Sequence, residues 1–271
     1  MVRSAVKSLV KSAAAMADVA RRTEGLPVLI YHRVGARTPV SVDLPRALFE
    51  EQMAFLAASY RVVTMEEAAQ LLVEPEPPAG PPPIVITFDD GTVDFVEEAL
   101  PVLVEHGIPA TMYLATDHLE SQIDFPDEGR PMSWAAAADA VSTGLVEIGS
   151  HTDTHVLLDR VPPAAAEREL DRSIDLIGER LGVEAHHFAY PKALLASPDV
   201  EPLVRRRFQT AAVARTRANP FGRSDLHRLT RSPVQSTDGM RWFERKAAGG
   251  MAIEDDLRVL VNRWRYRSAT E

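Results

Sequence analysis

From Leu26 onward, short apolar runs of strand length alternate with segments of helical periodicity, and no other feature restricts the fold of this chain as strongly. The clearest strand is Ile84–Phe88, with the sequence IVITF, and the longest amphipathic helical segment is Pro163–Leu181. Two Arg-rich helical segments, 237–247 and 253–266, end the chain. This alternation predicts an α/β fold with a parallel sheet and helices outside it. A closed barrel and an open doubly wound sheet both fit, and in either fold functional groups gather at the carboxyl ends of the strands.

The composition narrows the class of protein. One α/β barrel commonly fills a chain of 271 residues, and 45% hydrophobic residues are enough to build a sizeable core. The formal net charge of −9 disfavours nucleic acid as a partner, because an acidic surface repels phosphate groups. The chain has no cysteine, which excludes disulfides, thiolate metal sites and a cysteine nucleophile.

Residues 1–25 differ from the rest of the chain and are predicted to form an N-terminal amphipathic helical segment. Arg3, Lys7 and Lys11 share one side of this helix, while another side is apolar and carries Val2, Val6, Leu9, Val10, Ala13 and Ala17. Such a helix either packs on the domain or, through residues 1–22, rests on a membrane surface. Its charges interrupt the apolar stretch that an export signal needs. We therefore expect a cytoplasmic protein, with membrane association and export left open as alternatives.

Two adjacent carboxylates, Asp89 and Asp90, follow the strand Ile84–Phe88 in the sequence TFDDG. Like charges in a half-buried site repel each other, and leaving them unpaired is costly unless a cation or a hydrogen-bond network relieves them. Gly91 lets the chain turn sharply behind them. The pattern therefore indicates a cation site, although an ordinary turn with a helix cap also fits.

A second polar cluster begins where the strand Leu145–Gly149 ends, in the sequence GSHTDTH. Its histidines, His151 and His155, are four residues apart and meet on one side if the intervening turn is helical, a spacing that suits one metal ion. Neighbouring strands of a parallel sheet end on one face, so this cluster and the aspartates are expected to lie together. One aspartate and two histidines would form a three-ligand site with open positions for water and substrate.

The order and spacing of these blocks resemble the polysaccharide deacetylases of the NodB-homology type, carbohydrate esterase family 4. The agreement runs from about residue 26 to about residue 246 and, besides TFDDG and HTDTH, includes LIYHRVG at 29–35, GIPATMYLAT at 107–116, FAYP at 188–191 and FERKAAG at 243–249. The resemblance implies that residues 26–271 form a single catalytic domain, a distorted (β/α) barrel. It also implies hydrolysis of an acetyl group from an N-acetylated amino sugar in a polysaccharide, an oligosaccharide or a glycoconjugate precursor.

Carried over by position, the resemblance implies that Asp89 is the general base and that Asp90, His151 and His155 bind a divalent metal. The metal would lower the pKa of a bound water and Asp89 would remove its proton, which produces the nucleophile for the acetyl carbonyl. Two imidazoles and a carboxylate suit zinc, and cobalt or nickel also fit this ligand set.

The general acid that protonates the leaving amine is less clearly marked. The late Leu-x-x-His motif of many family members is absent from the chain. A branch that resembles the poly-N-acetylglucosamine deacetylases instead uses an early histidine in a Tyr-His motif, and Tyr31-His32 matches it. We therefore expect His32 to be the general acid. A strand-end histidine paired with a carbonyl is the structural alternative, and His227 is the rival acid.

The third family motif is altered, because the chain reads FAYPKA over 188–193 and its usual arginine is replaced by Ala189. By resemblance, Tyr190, Pro191 and Lys192 bind the substrate, and the Lys192 N–H stabilises the oxyanion. Arg231 is placed with these substrate-binding residues. It either replaces the charge missing at Ala189 or forms a surface ion pair.

The sequence thus favours a metal-dependent amino-sugar deacetylase and leaves two alternatives. The altered third motif keeps open a metal-dependent esterase or amidase that acts on an O-acetyl or small amide substrate. A catalytically silent carbohydrate-binding protein is the alternative from another class, although the presence of Asp89 disfavours it. The oligomeric state cannot be inferred from the sequence.

Overall fold

The computed structural model of the protein describes residues 25–251. This part of the chain contains ten strands: β1 (Val28–Tyr31), β2 (Arg33–Val34), β3 (Asp43–Leu44), β4 (Arg61–Val63), β5 (Pro83–Phe88), β6 (Ala110–Leu114), β7 (Val146–Ser150), β8 (His187–Ala189), β9 (Thr210–Ala214) and β10 (Leu229–Pro233). It also contains eight α helices: α1 (Arg46–Ser59), α2 (Met65–Val73), α3 (Leu100–His106), α4 (Thr116–Ser121), α5 (Trp134–Ser142), α6 (Pro163–Leu181), α7 (Glu201–Arg207) and α8 (Gly239–Ala247). The predicted N-terminal segment and the predicted helix 253–266 lie outside the described residues.

Seven strands form a closed parallel ring. Their order is β1, β10, β9, β8, β7, β6 and β5, and β5 closes the ring by pairing with β1 from Val28↔Val85 to Tyr31↔Phe88. β4 is an additional strand on the first half of β5, while β6 pairs with the end of β5 at Thr87 and Phe88. The expected distorted (β/α) barrel is therefore confirmed, and the ring closure excludes the open doubly wound sheet.

The longest helix, α6, begins and ends at the residues that the sequence predicts. α6 has the predicted bounds, begins with Pro163 in its first turn and ends before Gly182, whose φ of 67° is the left-handed conformation that glycine adopts without strain. Leu170 and Ile177 are among the residues that α6 buries against the barrel. No helix within residues 25–251 has the length and apolar character that crossing a bilayer requires.

Residues 93–106, which follow the two aspartates, do not form one continuous α helix. A π-helical turn, Phe95–Ala99, precedes α3, and the Leu100 N–H donates to Phe95 O across the wider turn. Pro101 explains the change, because it has no N–H to donate to the carbonyl four residues earlier and its ring crowds that carbonyl.

The amino end of the barrel is closed by α2. Glu147, in β7, accepts hydrogen bonds from the Met65 and Glu66 N–H groups at the start of α2 and from the Thr111 hydroxyl in β6. A carboxylate at a helix N-terminus is favourable because the free N–H groups carry partial positive charge. The buried His187 lies 3.4 Å from the same carboxylate. Within residues 25–251, α2 and this polar cluster thus cover the amino end of the barrel.

Candidate active site

The two aspartates lie at the carboxyl end of β5. The Asp89 N–H donates to Tyr31 O in the neighbouring strand, so the end of β1 fixes the start of the turn. Asp90 and Gly91 have φ values of 75° and 94°. Glycine is required at the second position, because a Cβ on Gly91 would lie 2.7 Å from Cδ2 of Leu114. The turn therefore aims both carboxylates into the mouth of the barrel.

The two histidines come together through a loop, which corrects the predicted helical turn. His151 follows β7 directly, and the backbone takes left-handed φ values at Thr152 (65°) and His155 (59°). Such values are strained for residues with a side chain, so surrounding contacts must hold the loop. Glu169 in α6 supplies one of them by accepting hydrogen bonds from the N–H and the hydroxyl of Thr154, at 2.8 and 2.9 Å.

Asp90, His151 and His155 each direct one ligand atom to a common point, and these atoms lie within 4.8 Å of one another. Nε2 of His155 is 3.6 Å and Nε2 of His151 is 3.8 Å from Oδ1 of Asp90. Nδ1 of His151 contacts Ala189 O at 2.7 Å, which orients the ring and leaves Nε2 for a metal. Burial, aided by the nearby His151, lowers the pKa of His155 to about 4, so this imidazole is neutral at pH 7, as a ligand must be. The ligand set fits zinc, cobalt or nickel.

Asp89 is held by a buried arginine from β10, which lies two strands away from β5 around the ring. The Arg231 guanidinium donates from Nη1 and Nη2 to the two oxygens of Asp89, at 2.6 and 2.9 Å, and it also lies over the ring of Tyr113. Burial alone would raise the pKa of Asp89, but the charges of Arg231 and His151 and the hydrogen bonds from Arg231 lower it to about 2. Asp89 is therefore ionised at neutral pH and fixed in orientation.

Two residues expected to bind substrate are buried. Arg231 is 0% exposed and its guanidinium is bonded to Asp89, so it orients the carboxylate that the resemblance assigns as the base. Of the two alternatives for Arg231, the buried contact with Asp89 matches the replacement of the charge missing at Ala189 and does not match a surface ion pair. Tyr190 is also 0% exposed, because its ring packs edge-on against Phe188 outside the barrel. In this structure both side chains are buried away from the surface that a substrate would reach.

The altered third motif forms a tight turn after β8. Pro191 is buried, Lys192 is exposed, and both Lys192 (φ 50°) and Ala193 (φ 60°) are left-handed. The Ala193 N–H donates to Tyr190 O, which closes the turn. The turn places the Lys192 backbone at the carboxyl end of β8, beside the strand that carries His151.

The structure separates the two candidate acids. His32 follows β1, half-buried, close enough for its charge to lower the pKa of Asp89. Its Nδ1 is buried and has no hydrogen-bond partner among the described residues, so the alternative of a carbonyl-paired histidine does not apply. His227 precedes β10 at the amino end of the barrel, where its Nε2 contacts Phe208 O at 2.8 Å. His227 therefore lies at the wrong end of the barrel for this site.

Sequence reasoning missed Arg33, which is 7% exposed and reaches the loop beyond α4. It also missed Glu169, the support of the histidine loop. No signal in the sequence separates Arg33 from the other 29 lysines and arginines, or Glu169 from the other 38 aspartates and glutamates. Their contacts depend on loop conformations.

Comparisons with known proteins return polysaccharide deacetylases. The family model described as "Polysaccharide deacetylase" matches residues 76–202. A Bacillus subtilis (strain 168) protein with the printed name "Putative polysaccharide deacetylase YxkH" is 25% identical over 214 residues, which are 78% of this chain and 73% of that protein. The family model covers just under half of the chain, and the chain is thus similar to polysaccharide deacetylases over this region.

Solved structures show the same fold. IcaB from Ammonifex degensii superposes with a TM-score of 0.72 at 25% identity, covering 82% of this chain and 98% of that one. The Streptococcus pyogenes deacetylase PplD in complex with acetate also gives a TM-score of 0.72, at 19% identity, with 82% and 97% coverage. The barrel of this chain thus has the fold of these solved deacetylases.

Proposed function

We propose that the protein is a divalent-metal-dependent hydrolase that removes the acetyl group from an N-acetylated amino sugar. The observation that carries the proposal is the juxtaposition, at the mouth of the barrel, of three convergent ligand atoms and an ionised Asp89 held by Arg231. The match of residues 76–202 to the polysaccharide deacetylase family model supports the reaction type. We propose zinc as the metal, with cobalt or nickel able to replace it.

Asp90, His151 and His155 would hold the metal, which would supply Lewis acidity to the reaction. Asp89 accepts the proton of the attacking water. Its two oxygens each retain a lone pair after the bidentate contact with Arg231, so one of them is free to accept. Arg231 prevents the carboxylate from rotating and thus fixes the direction of proton transfer.

Two further groups complete the proposed chemistry. The backbone N–H of Lys192, carried on the turn after β8, donates to the oxyanion as the carbonyl becomes tetrahedral. His32 follows β1, near enough to Asp89 for its charge to act on that carboxylate, and gives a proton to the departing amine. The amine leaves as the free amino sugar and the acyl group leaves as acetate.

The test is acetate release by the purified full chain from N-acetylglucosamine oligomers, measured after chelation and again after zinc is added back. The matched control is Asp89→Asn, which keeps the shape of the side chain and the metal ligands but removes the base. We expect zinc-dependent release from the wild-type protein and at least ~10²-fold less from the variant.

An O-acetylated sugar of the same length is assayed in parallel. Release from the ester alone would replace the amide substrate with the esterase alternative. Equal rates in the wild-type protein and Asp89→Asn would refute the assigned base, and a protein that binds no metal would refute the metal mechanism.

A further inference from the structure

Arg33 is a buried cation beside the proposed metal site with no carboxylate partner among the described residues. Nη1 donates to Asp127 O and Nη2 to Pro126 O, each at 2.6 Å. Burying a charge is costly unless its hydrogen-bonding groups are satisfied. Here the guanidinium fork holds two consecutive carbonyls, an arrangement that fixes the position of a backbone segment.

The segment that Arg33 holds is the rim loop, which we define as residues 122–131 between α4 and α5. Its far end is joined to the turn Asp89–Gly91, which we call the aspartate turn. The Val93 N–H donates to Arg130 O, and the Met132 N–H, next to the loop, donates to Gly91 O, both at 2.9 Å. The rim loop therefore borders the turn that presents the carboxylate ligand.

The rim loop also touches a histidine ligand. Phe125 is 4% exposed and its ring edge faces His155, with ring centroids 6.3 Å apart. On its other side Phe125 stacks on His118, with centroids 3.8 Å apart. The Phe125 N–H donates to Gly129 O, so the loop folds on itself and holds the ring in place.

We infer that Arg33 is a positioning residue of the metal site: it clamps the rim loop against the aspartate turn and against His155, and so sets metal affinity without touching a ligand atom. The inference rests on the proposed function, because it concerns the same metal. Arg33 follows His32 directly, so the end of β1 has two tasks. His32 is the proposed acid, and Arg33 holds the rim loop that borders the site.

Gly129 offers an independent way to disturb the same contact. A Cβ on Gly129 would lie 2.1 Å from Nη2 and 2.7 Å from Cζ of Arg33. Its φ is not left-handed, so alanine there is opposed by neighbouring atoms and not by its own backbone conformation. Gly129→Ala should therefore displace the guanidinium or the loop, whereas in an Arg33→Ala background the clash with the guanidinium is gone.

The experiment measures the Kd of the full chain for Zn²⁺, by competition with a chromophoric chelator, and the visible absorption spectrum of the Co²⁺-loaded protein. The variants are Arg33→Ala, Arg33→Lys, Gly129→Ala and the double Arg33→Ala/Gly129→Ala. The matched control is Arg37→Ala. Arg37 lies four residues after Arg33, is exposed, and forms an ion pair with Glu97 at 2.7 Å.

We expect Arg33→Ala and Gly129→Ala each to raise the Kd for Zn²⁺ by about 10-fold and to alter the Co²⁺ spectrum, a loss typical of removing a support behind metal ligands. Arg33→Lys should be no better than an intermediate, because an ammonium cannot reproduce the planar fork. The control should stay within about twofold of the wild-type protein. The double variant should be little worse than Arg33→Ala alone, because both changes disturb one contact.

Wild-type affinity and spectrum in Arg33→Lys and Gly129→Ala would overturn the inference and leave the proposed function intact. A double variant that loses about 100-fold would also overturn it, because the two residues would then act separately. If Arg33→Ala fails to fold, the double variant is lost with it, and Arg33→Lys and Gly129→Ala, which leave the barrel core unchanged, decide the question. Failure of the wild-type protein to bind Zn²⁺ would overturn both proposals.

Discussion

Replacing Arg231 by methionine should be among the most damaging single changes in this protein. The substitution keeps an unbranched apolar stem over Tyr113 but removes both hydrogen bonds to Asp89, which is 3% exposed. Breaking a buried ion pair on one side leaves an uncompensated buried charge and costs about 3–5 kcal/mol. Set against a typical unfolding free energy of about 5–15 kcal/mol, this is a large fraction of the total.

The loss should depend on pH in a direction that identifies Asp89 as its source. In the wild-type protein, the pKa of Asp89 is lowered to about 2, so its stabilisation is present above the ordinary pKa and is lost as pH falls through the folded value. Without Arg231, burial raises the pKa of Asp89 above its ordinary value. The folded variant then binds the extra proton, and its stability falls as pH rises through that raised pKa.

The assay is urea unfolding of metal-free protein at several values between about pH 5 and pH 8, with the difference between the two proteins taken at each pH. We expect that difference to grow with pH. The control is Arg228→Met, which removes an exposed ion pair with Glu201 and should cost no more than about 1 kcal/mol at any pH. A loss of less than about 1 kcal/mol in Arg231→Met, or one that shrinks as pH rises, would refute the reasoning.

Three further outcomes follow from the site and the barrel. Asp90→Ala and His155→Ala should abolish tight zinc binding, and stoichiometric zinc after dialysis, measured by elemental analysis, would exclude them as ligands. His32→Ala should lower kcat by about 10²–10⁴-fold and leave zinc content unchanged, whereas an unaltered kcat would assign proton donation to water or another group. Gly149→Ala should lower the unfolding free energy by about 1–3 kcal/mol, because its Cβ would lie 2.6 Å from Cδ1 of Tyr113; a wild-type urea midpoint would contradict this packing argument.

Much of the fold could be predicted because buried parallel strands are apolar throughout and helix ends carry local signals. The strand Ile84–Phe88 and the bounds of α6 illustrate both cases. The choice between a ring and an open sheet could not be predicted, because it depends on the pairing of β1 with β5 across more than fifty residues of chain. Strands β2 and β3, two residues each, are too short to show a period.

The positions of Asp89 and His151 could be predicted because each follows a strand of one parallel sheet, and such strands end on one face. The conformation that brings His155 to the same point could not, since it depends on left-handed residues held by Glu169. The partner of Asp89 could not be predicted either. Arg231 is 142 positions later in the sequence, and it reaches Asp89 only because the closed ring places β10 beside β1.

Ring closure has a consequence for how such enzymes change over evolutionary time. In an open sheet, a side chain reaches only its neighbours, but the inward side chains of a closed ring share one interior, and several strands can reach the same carboxylate. The charge that orients Asp89 comes from Arg231 in β10 and not from position 189 in β8. The positive charge that orients the carboxylate can thus be supplied from more than one strand, while the carboxylate itself stays in place. A motif in the sequence can therefore lose its arginine although the site keeps the charge.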